Sequence, residues 1–538
     1  MKLEHSSRNI AGNTLLSERY IVNSNRTNLG QSSKIFYNSN ILIGVLGLIL
    51  VFIYGIMPNN IPMLVPLYLI LFIISFNYPH FALYYIITIV TMKSFFVIPP
   101  SYYGGDILFR FAHLDDAAIK YADELAFLLC FQNIIMISVI QKRTPSLLRK
   151  LGVLKWFKGF IVIIILSALV NSVPTSQILK YILNWTRPFL VYFLIFYLPW
   201  DEDKLNKIAN YLITLAFVFQ WGGSIAVNFK KMLKGDFFWV DDFTGTFTFP
   251  ACEHAAFLLT IVLFVFLGKY FTHKNNKFLV VAVFAFFGII SAQVGTMTVM
   301  LLFVISVFFS VLVLFPHKFG LSSFKGRFTI LVGFVSIFFI GLFVWLDYDN
   351  PRYRSVVGYS QKKFEQRVLF SSQFSEIPKI LSYYNLGQAY ISGEINPLLG
   401  AGPANYLTGL GKSISSSPLI EKYGSKSLYK VVGQAESQQN SVVGLAGEIG
   451  LIGFIVYISL VFSIFRHLWH NKNYFYKSEW HGLFIGTIGS FIFYLFYASI
   501  QNAFETPVHG VYIFSLSGIF IIKAYITKNK EIYIPFRS

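Results

Sequence analysis

Arg187 stands in the middle of an apolar run, YILNWTRPFLVYFLIF, and no other residue of the chain calls so plainly for an explanation in chemistry. An unpaired charge at that depth of a bilayer costs at least about 2.5 kcal/mol, so the side chain must face the protein interior or a polar cavity. Two roles stay open for it: pairing with a carboxylate or with carbonyls to fix helix packing, or holding an anionic group on a substrate path. Pro188, next in sequence, is placed to kink that helix and open a cavity. Glu448, in EIGLIGF, sets the same problem with the opposite sign, and packing, gating and catalysis all remain open for it. It follows the polar pair Gln439 and Asn440 by roughly two helical turns. Two glycines, Gly400 and Gly402 in NPLLGAGPANY, permit positive φ and close backbone approach, as a structural turn or a phosphate cradle.

The elements that carry these residues are set by composition. The 538 residues are 55% hydrophobic, 18% aromatic and only 13% charged, with a mean hydropathy of +0.59, far from the balance of a soluble domain. Runs such as 41–57, 298–315 and 331–346 approach the roughly 20 residues that cross about 30 Å of hydrocarbon as helix. Alternation is absent, which excludes a membrane barrel. The expected fold is therefore all-α and polytopic, with about fourteen spans centred near residues 49, 69, 90, 133, 167, 189, 217, 262, 286, 306, 337, 454, 490 and 518.

Basic loops set the expected orientation, since Lys and Arg near span ends stay cytoplasmic far more often than they cross. Residues 141–158, 268–277, 316–327 and 466–477 are basic and fall, with both termini, on one side. The outer side then holds 99–123, 228–254 and one large loop, 347–441. The expected organisation is a cytoplasmic tail (1–40), membrane helices (41–227), further helices with an outer loop (228–346), the large extracytoplasmic loop (347–441), C-terminal helices (442–525) and a cytoplasmic tail (526–538). The polar, basic first forty residues carry no early apolar core, so no cleavable signal peptide is expected.

Several function classes drop out. The formal charge of +19 is spread over short turns instead of one face, which fits membrane topology and not nucleic acid. Two cysteines, Cys130 and Cys252, make neither a disulfide framework nor a zinc site. No P-loop, HExxH, GxSxG or EF-hand pattern occurs, so neither metal nor nucleotide cofactor is expected. The halves show no convincing repeat, which weakens an inverted-repeat transporter. Within the large loop, residues 375–391 carry Ile377, Ile380, Leu381, Tyr384 and Ile391 at helical spacing after Ser375 and Pro378, which predicts an amphipathic helix lying on the membrane.

Read together, Pro397, Leu398, Leu399, Gly400 and Gly402, then Asn440, then Glu448, Gly450 and Gly453 resemble the C-terminal domain shared by bacterial O-antigen ligases and O-antigen or exopolysaccharide polymerases. That family carries a PLLG-G turn in a long outer loop, a His-Asn pair opening the next helix and a Glu-x-Gly-x-x-Gly stretch within it. Residues 243–259, FTGTFTFPACEHAAFLL, look like its earlier outer segment, and the resemblance spans residues 240–465. Two departures stand out: Gln439 occupies the usual His position, and no Arg stands at the usual distance ahead of the turn, where Lys379 and Tyr383 lie. Arg352, Arg354 and Arg367 fall further upstream.

The resemblance implies a glycosyltransferase of the bacterial inner membrane that moves glycan from a polyprenyl diphosphate carrier to an acceptor hydroxyl on the outer face. Its partners would be the lipid-linked oligosaccharide and the bilayer, with room for a chain-length regulator. Arg187, Arg367 and Lys379 are the candidates for holding the diphosphate by charge-assisted hydrogen bonds, with Gly400 and Gly402 near it. Gln439, Asn440 and Glu448 occupy the catalytic positions, yet Gln439 cannot take a proton. His254 and His509 are the substitutes for a base, each competing with a plain surface role. A polymerase is the first expectation and a ligase the second. A lipid-linked oligosaccharide flippase or other transporter is a third, and a catalytically silent glycan binder a fourth.

Overall fold

The computed structural model describes residues 61–92, 116–140, 145–225, 252–293, 379–408, 415, 417–423, 440–475, 478–499 and 503–529. Its helices are α1 (Ile61–Asn77), α2 (Pro79–Met92), α3 (Asp116–Ile135), α4 (Ser146–Lys150), α5 (Val153–Val170), α6 (Thr175–Tyr197), α7 (Glu202–Thr214) and α8 (Cys252–His273). Then follow α9 (Asn276–Gln293), α10 (Lys379–Ile391), α11 (Pro418–Tyr423), α12 (Ser441–His470), α13 (Lys472–Phe475), α14 (His481–Ala498) and α15 (Pro507–Asn529). Among the described residues no strand occurs, in keeping with the all-α expectation.

The apolar runs become helix because a bilayer offers no partner to a free backbone N–H or C=O, and only helix satisfies both within one segment. Among the described residues, six helices are long and apolar enough to cross a membrane: Val153–Val170, Glu202–Ile225, His254–His273, Ser441–His470, His481–Ala498 and Pro507–Asn529. The second of these is α7 running on through a π turn at Leu215–Phe219. Span centres expected near 49, 306 and 337 lie outside the described residues; the others fall on helices.

Polar α6 is the exception that organises the bundle. It carries Gln177, Lys180, Asn184 and Arg187, and every residue from Pro188 to Tyr197 is buried. Helices α15, α3 and α5 pack around it, leaving Gln177, Asn184 and Arg187 half-buried and Lys180 exposed. Elsewhere α8 pairs with α9 and α14, and α12 with α5. Exposed Val162, Ile165, Leu166 and Leu169 on α5 and Ile455 and Phe462 on α12 form an apolar outer surface suited to lipid.

The bundle has two chemically different ends. At one, the His467 ring nitrogen lies 2.6 Å from the Leu151 carbonyl, Lys523 pairs with Glu202, and the Lys523 ammonium sits 5.4 Å from the Trp480 ring centroid. This end collects the described parts of the basic connections. The opposite end collects the turn 396–408, α10, the start of α12, and the ring pair His254 and His509. The described parts of three basic connections, 141–158, 268–277 and 466–477, thus share one end, while most of 347–441 lies outside the described residues.

Candidate functional site

The site is built on a break in α12. At Gly450 the backbone leaves the helix with φ 71° and ψ 179°, a region that side-chain-bearing residues rarely enter. In an unbroken helix the N–H groups of Leu451 and Ile452 would bond the carbonyls of Gly447 and Glu448. Here they turn to the loop instead, at 2.9 Å to Pro397 O and 3.3 Å to Leu398 O. The two released carbonyls are taken in return by loop donors, Ala401 N to Gly447 O at 2.8 Å and Gly402 N to Glu448 O at 2.9 Å. Four loop bonds thus replace two helical ones, and the four backbone groups released at the break are all paired, as irregular backbone at membrane depth requires.

The NPLLGAG segment folds to fit this break. Asn396 Oδ1 accepts from the Leu398 and Leu399 amides at 2.9 and 3.2 Å, an Asx turn that points the Pro397 and Leu398 carbonyls at α12. Contact is so close that a Cβ on Gly400 would lie 2.4 Å from the Glu448 carbonyl carbon, and one on Gly450 2.2 Å from Leu398 O. From α5, the Ser167 hydroxyl donates at 2.6 Å to Leu399 O and at 3.1 Å to Glu448 O, tying loop and broken helix at once. Asn171 Nδ2 donates to Gly400 O at 3.3 Å, and Gln177 Nε2, at the start of α6, to Pro403 O at 2.7 Å. Gly400 and Gly402, for which the sequence leaves a structural turn and a phosphate cradle both open, form the packing surface of the turn.

Glu448 is wholly buried beneath that turn. Its Oε1 receives the Thr408 hydroxyl and the amides of Tyr406 and Thr408 at 3.3 and 3.4 Å. Tyr181 of α6 lies beside the same carboxylate, and Glu505, only 6% exposed, is near enough to act on it electrostatically. Tyr457, Tyr494 and Trp185, all fully buried, wall this cluster. Trp185 and Tyr457 meet with ring centroids 5.3 Å apart, and Phe504 contacts Tyr457 and Tyr494 at 5.1 and 5.3 Å. Two carboxyl groups set among phenols can hold a proton, orient it and pass it on.

The remaining expected residues are placed as follows. Asn440 is the N-cap of α12, its Oδ1 accepting from Val442 and Val443 amides at 2.9 and 3.2 Å. Arg187 is half-buried on α6, with its guanidinium carbon 5.4 Å from the centroid of the Phe127 ring on α3. Lys379 is the first residue of α10; Arg367 and Gln439 lie outside the described residues. His254 and His509 come together with ring centroids 4.9 Å apart, and His509 is buried against Phe257. Helix α10 buries Leu386 and Ala389 against the start of α12, while Tyr384 and Ile391 are exposed at 61% and 81%. Tyr390 donates its hydroxyl to Ala446 O at 2.7 Å, and burial pushes its phenol up to about 12. Ser375 and Pro378 lie outside the described residues.

Sequence reasoning passed over Ser167, Asn171, Gln177, Tyr181, Thr408 and Glu505. The polar pair Ser167 and Asn171, four apart at the end of an apolar helix, was the available signal. Among the described residues no three His, Cys, Asp or Glu side chains gather as a metal site. No protein-family model and no curated protein matches this chain.

Proposed function

We propose that the chain is a membrane glycosyltransferase that moves glycan from a polyprenyl diphosphate carrier to an acceptor glycan at the non-basic end of the bundle. One observation carries the reading: the NPLLGAG turn and the Glu448-Ile449-Gly450 stretch, far apart in sequence, interlock by four backbone hydrogen bonds into a single unit around a buried carboxylate. Those are the segments on which the resemblance to O-antigen polymerases and ligases rests, and their union gives the shared motif a physical reason. In this reading Glu448, with Glu505 and Tyr181, handles the proton that the acceptor hydroxyl loses, the task that Gln439 cannot perform. Arg187 holds the departing diphosphate, whose negative charge grows as the glycosidic bond to the carrier breaks. A polymerase is preferred to a ligase because Gln439 departs from the ligase pattern.

A transporter of lipid-linked oligosaccharide is the second reading, favoured by the same broken helix, since discontinuous helices and buried carboxylates also build transport sites. Purified protein in liposomes, supplied with a polyprenyl diphosphate oligosaccharide on each face in turn, separates the two. New glycosidic bonds and released polyprenyl diphosphate support the transferase. Carrier lipid moved across the bilayer with its glycan unchanged would sink it.

A further inference from the structure

At the basic end, away from Glu448, α5 and α12 diverge around a cavity of about 540 Å³. Lys155, Arg466, His467 and His470 line it, together with the apolar Trp156 and Phe462, and no acidic side chain takes part. The surrounding sequence is one-sided too: neither 141–158 nor 459–477 contains an Asp or Glu. His467 is turned to the Leu151 carbonyl, whereas Lys155, Arg466 and His470 are exposed at the rim.

Helix α5 begins here at Gly152, which has a φ of 68°, and no side chain caps its first turn. Those leading N–H groups and the positive end of the helix dipole add to the cationic rim. Helix α12 ends here with His467 and His470 in its last turn, and its carbonyl end would repel an anion, but Arg466, one turn from that end, supplies an opposing positive charge. Below the rim the cavity turns apolar. Trp156 and Phe462 are 37% and 56% exposed, and the exposed Val162 and Leu166 of α5 and Ile455 of α12 continue the same surface toward the bundle's middle.

We propose that this cavity binds an anionic glycerophospholipid, its phosphate held by Lys155 and Arg466 and an acyl chain laid along Trp156 and Phe462. A cationic rim over an apolar slot between membrane helices matches a molecule with an anionic head and a hydrocarbon tail, and basic pockets of this kind hold anionic headgroups. Free phosphate would use only the rim, and the apolar wall would then have no occupant. The site is independent of glycan chemistry at the other end.

The test is native mass spectrometry of the delipidated full-length protein titrated with phosphatidylglycerol, phosphatidylcholine or inorganic phosphate. The parent should prefer phosphatidylglycerol to phosphatidylcholine, and the double variant Lys155→Gln with Arg466→Gln should lose about thirty-fold of that affinity. Lys528→Gln, at the same end but outside the cavity, should bind like the parent. Equal binding of the two lipids, full binding by the double variant, or an equal loss in Lys528→Gln would overturn the proposal. Inorganic phosphate that displaces phosphatidylglycerol at equal concentration would replace the lipid with a free anion and overturn it as well.

Discussion

Glu448 and Arg187 are two of the ionisable groups that the apolar bundle accommodates, and their surroundings differ. The carboxylate takes an enclosed set of donors, the Thr408 hydroxyl and the Tyr406 and Thr408 amides. Glu448→Gln keeps the shape and can still accept from those donors, so the fold should survive while proton transfer is lost. Glycan transfer should fall by about 100-fold, the lower range for general acid–base catalysis; normal transfer in membranes with normal protein levels would restrict Glu448 to packing. Arg187 instead rests over Phe127 on a half-buried surface. Arg187→Ala should stop transfer from carrier-linked oligosaccharide, measured as glycan length and yield. Unchanged glycans at normal expression would remove it from the site.

At the scale of elements, the break in α12 is the feature on which the site depends. A helix interrupted at Gly450 without the inserted turn would leave two N–H groups and two carbonyls unpaired, each costing roughly 1–3 kcal/mol. Gly450→Ala combines a positive φ with a Cβ 2.2 Å from Leu398 O, so it should cost at least about 3 kcal/mol in stability or expel the turn. Ser167→Ala removes one hydroxyl shared by the Leu399 and Glu448 carbonyls and should cost about 1 kcal/mol. Thermal unfolding of both variants in detergent checks the order; similar melting of Gly450→Ala and the parent would show that the inserted turn does not need glycine there. Helix positions were legible in advance as apolar runs. The docking of the turn was not, because it is made by backbone groups that every residue possesses, and only the glycine spacing hinted at it.

For the whole molecule, the gathering of the described basic connections at one end points to one direction of insertion, which labelling can test. After Cys252→Ser, with the buried Cys130 left in place, cysteines introduced one at a time by Lys472→Cys and Gly393→Cys should be labelled by an impermeant thiol reagent from opposite faces of the membrane. Residue 472 should react only after the cell is opened, and 393 in intact cells. Labelling of both from one face would overturn the topology, and with it a transfer site on the outer side. Polar α6 shows why hydropathy alone does not describe the bundle, since a helix that carries Gln177, Lys180, Asn184 and Arg187 packs among α3, α5 and α15.

Composition and apolar run length determined on their own that this is a helical membrane protein, because the bilayer penalises every exposed backbone group and every buried charge locally, residue by residue. They also marked Arg187, Glu448 and the NPLLGAG turn as the places to look. Only the tertiary structure decided that the turn fills the gap in α12, that Asn440 caps the helix it opens, and that Glu448 meets Thr408, Tyr181 and Glu505. Those outcomes depend on hydrogen bonds between segments whose separation in sequence carries no record of their contact in space.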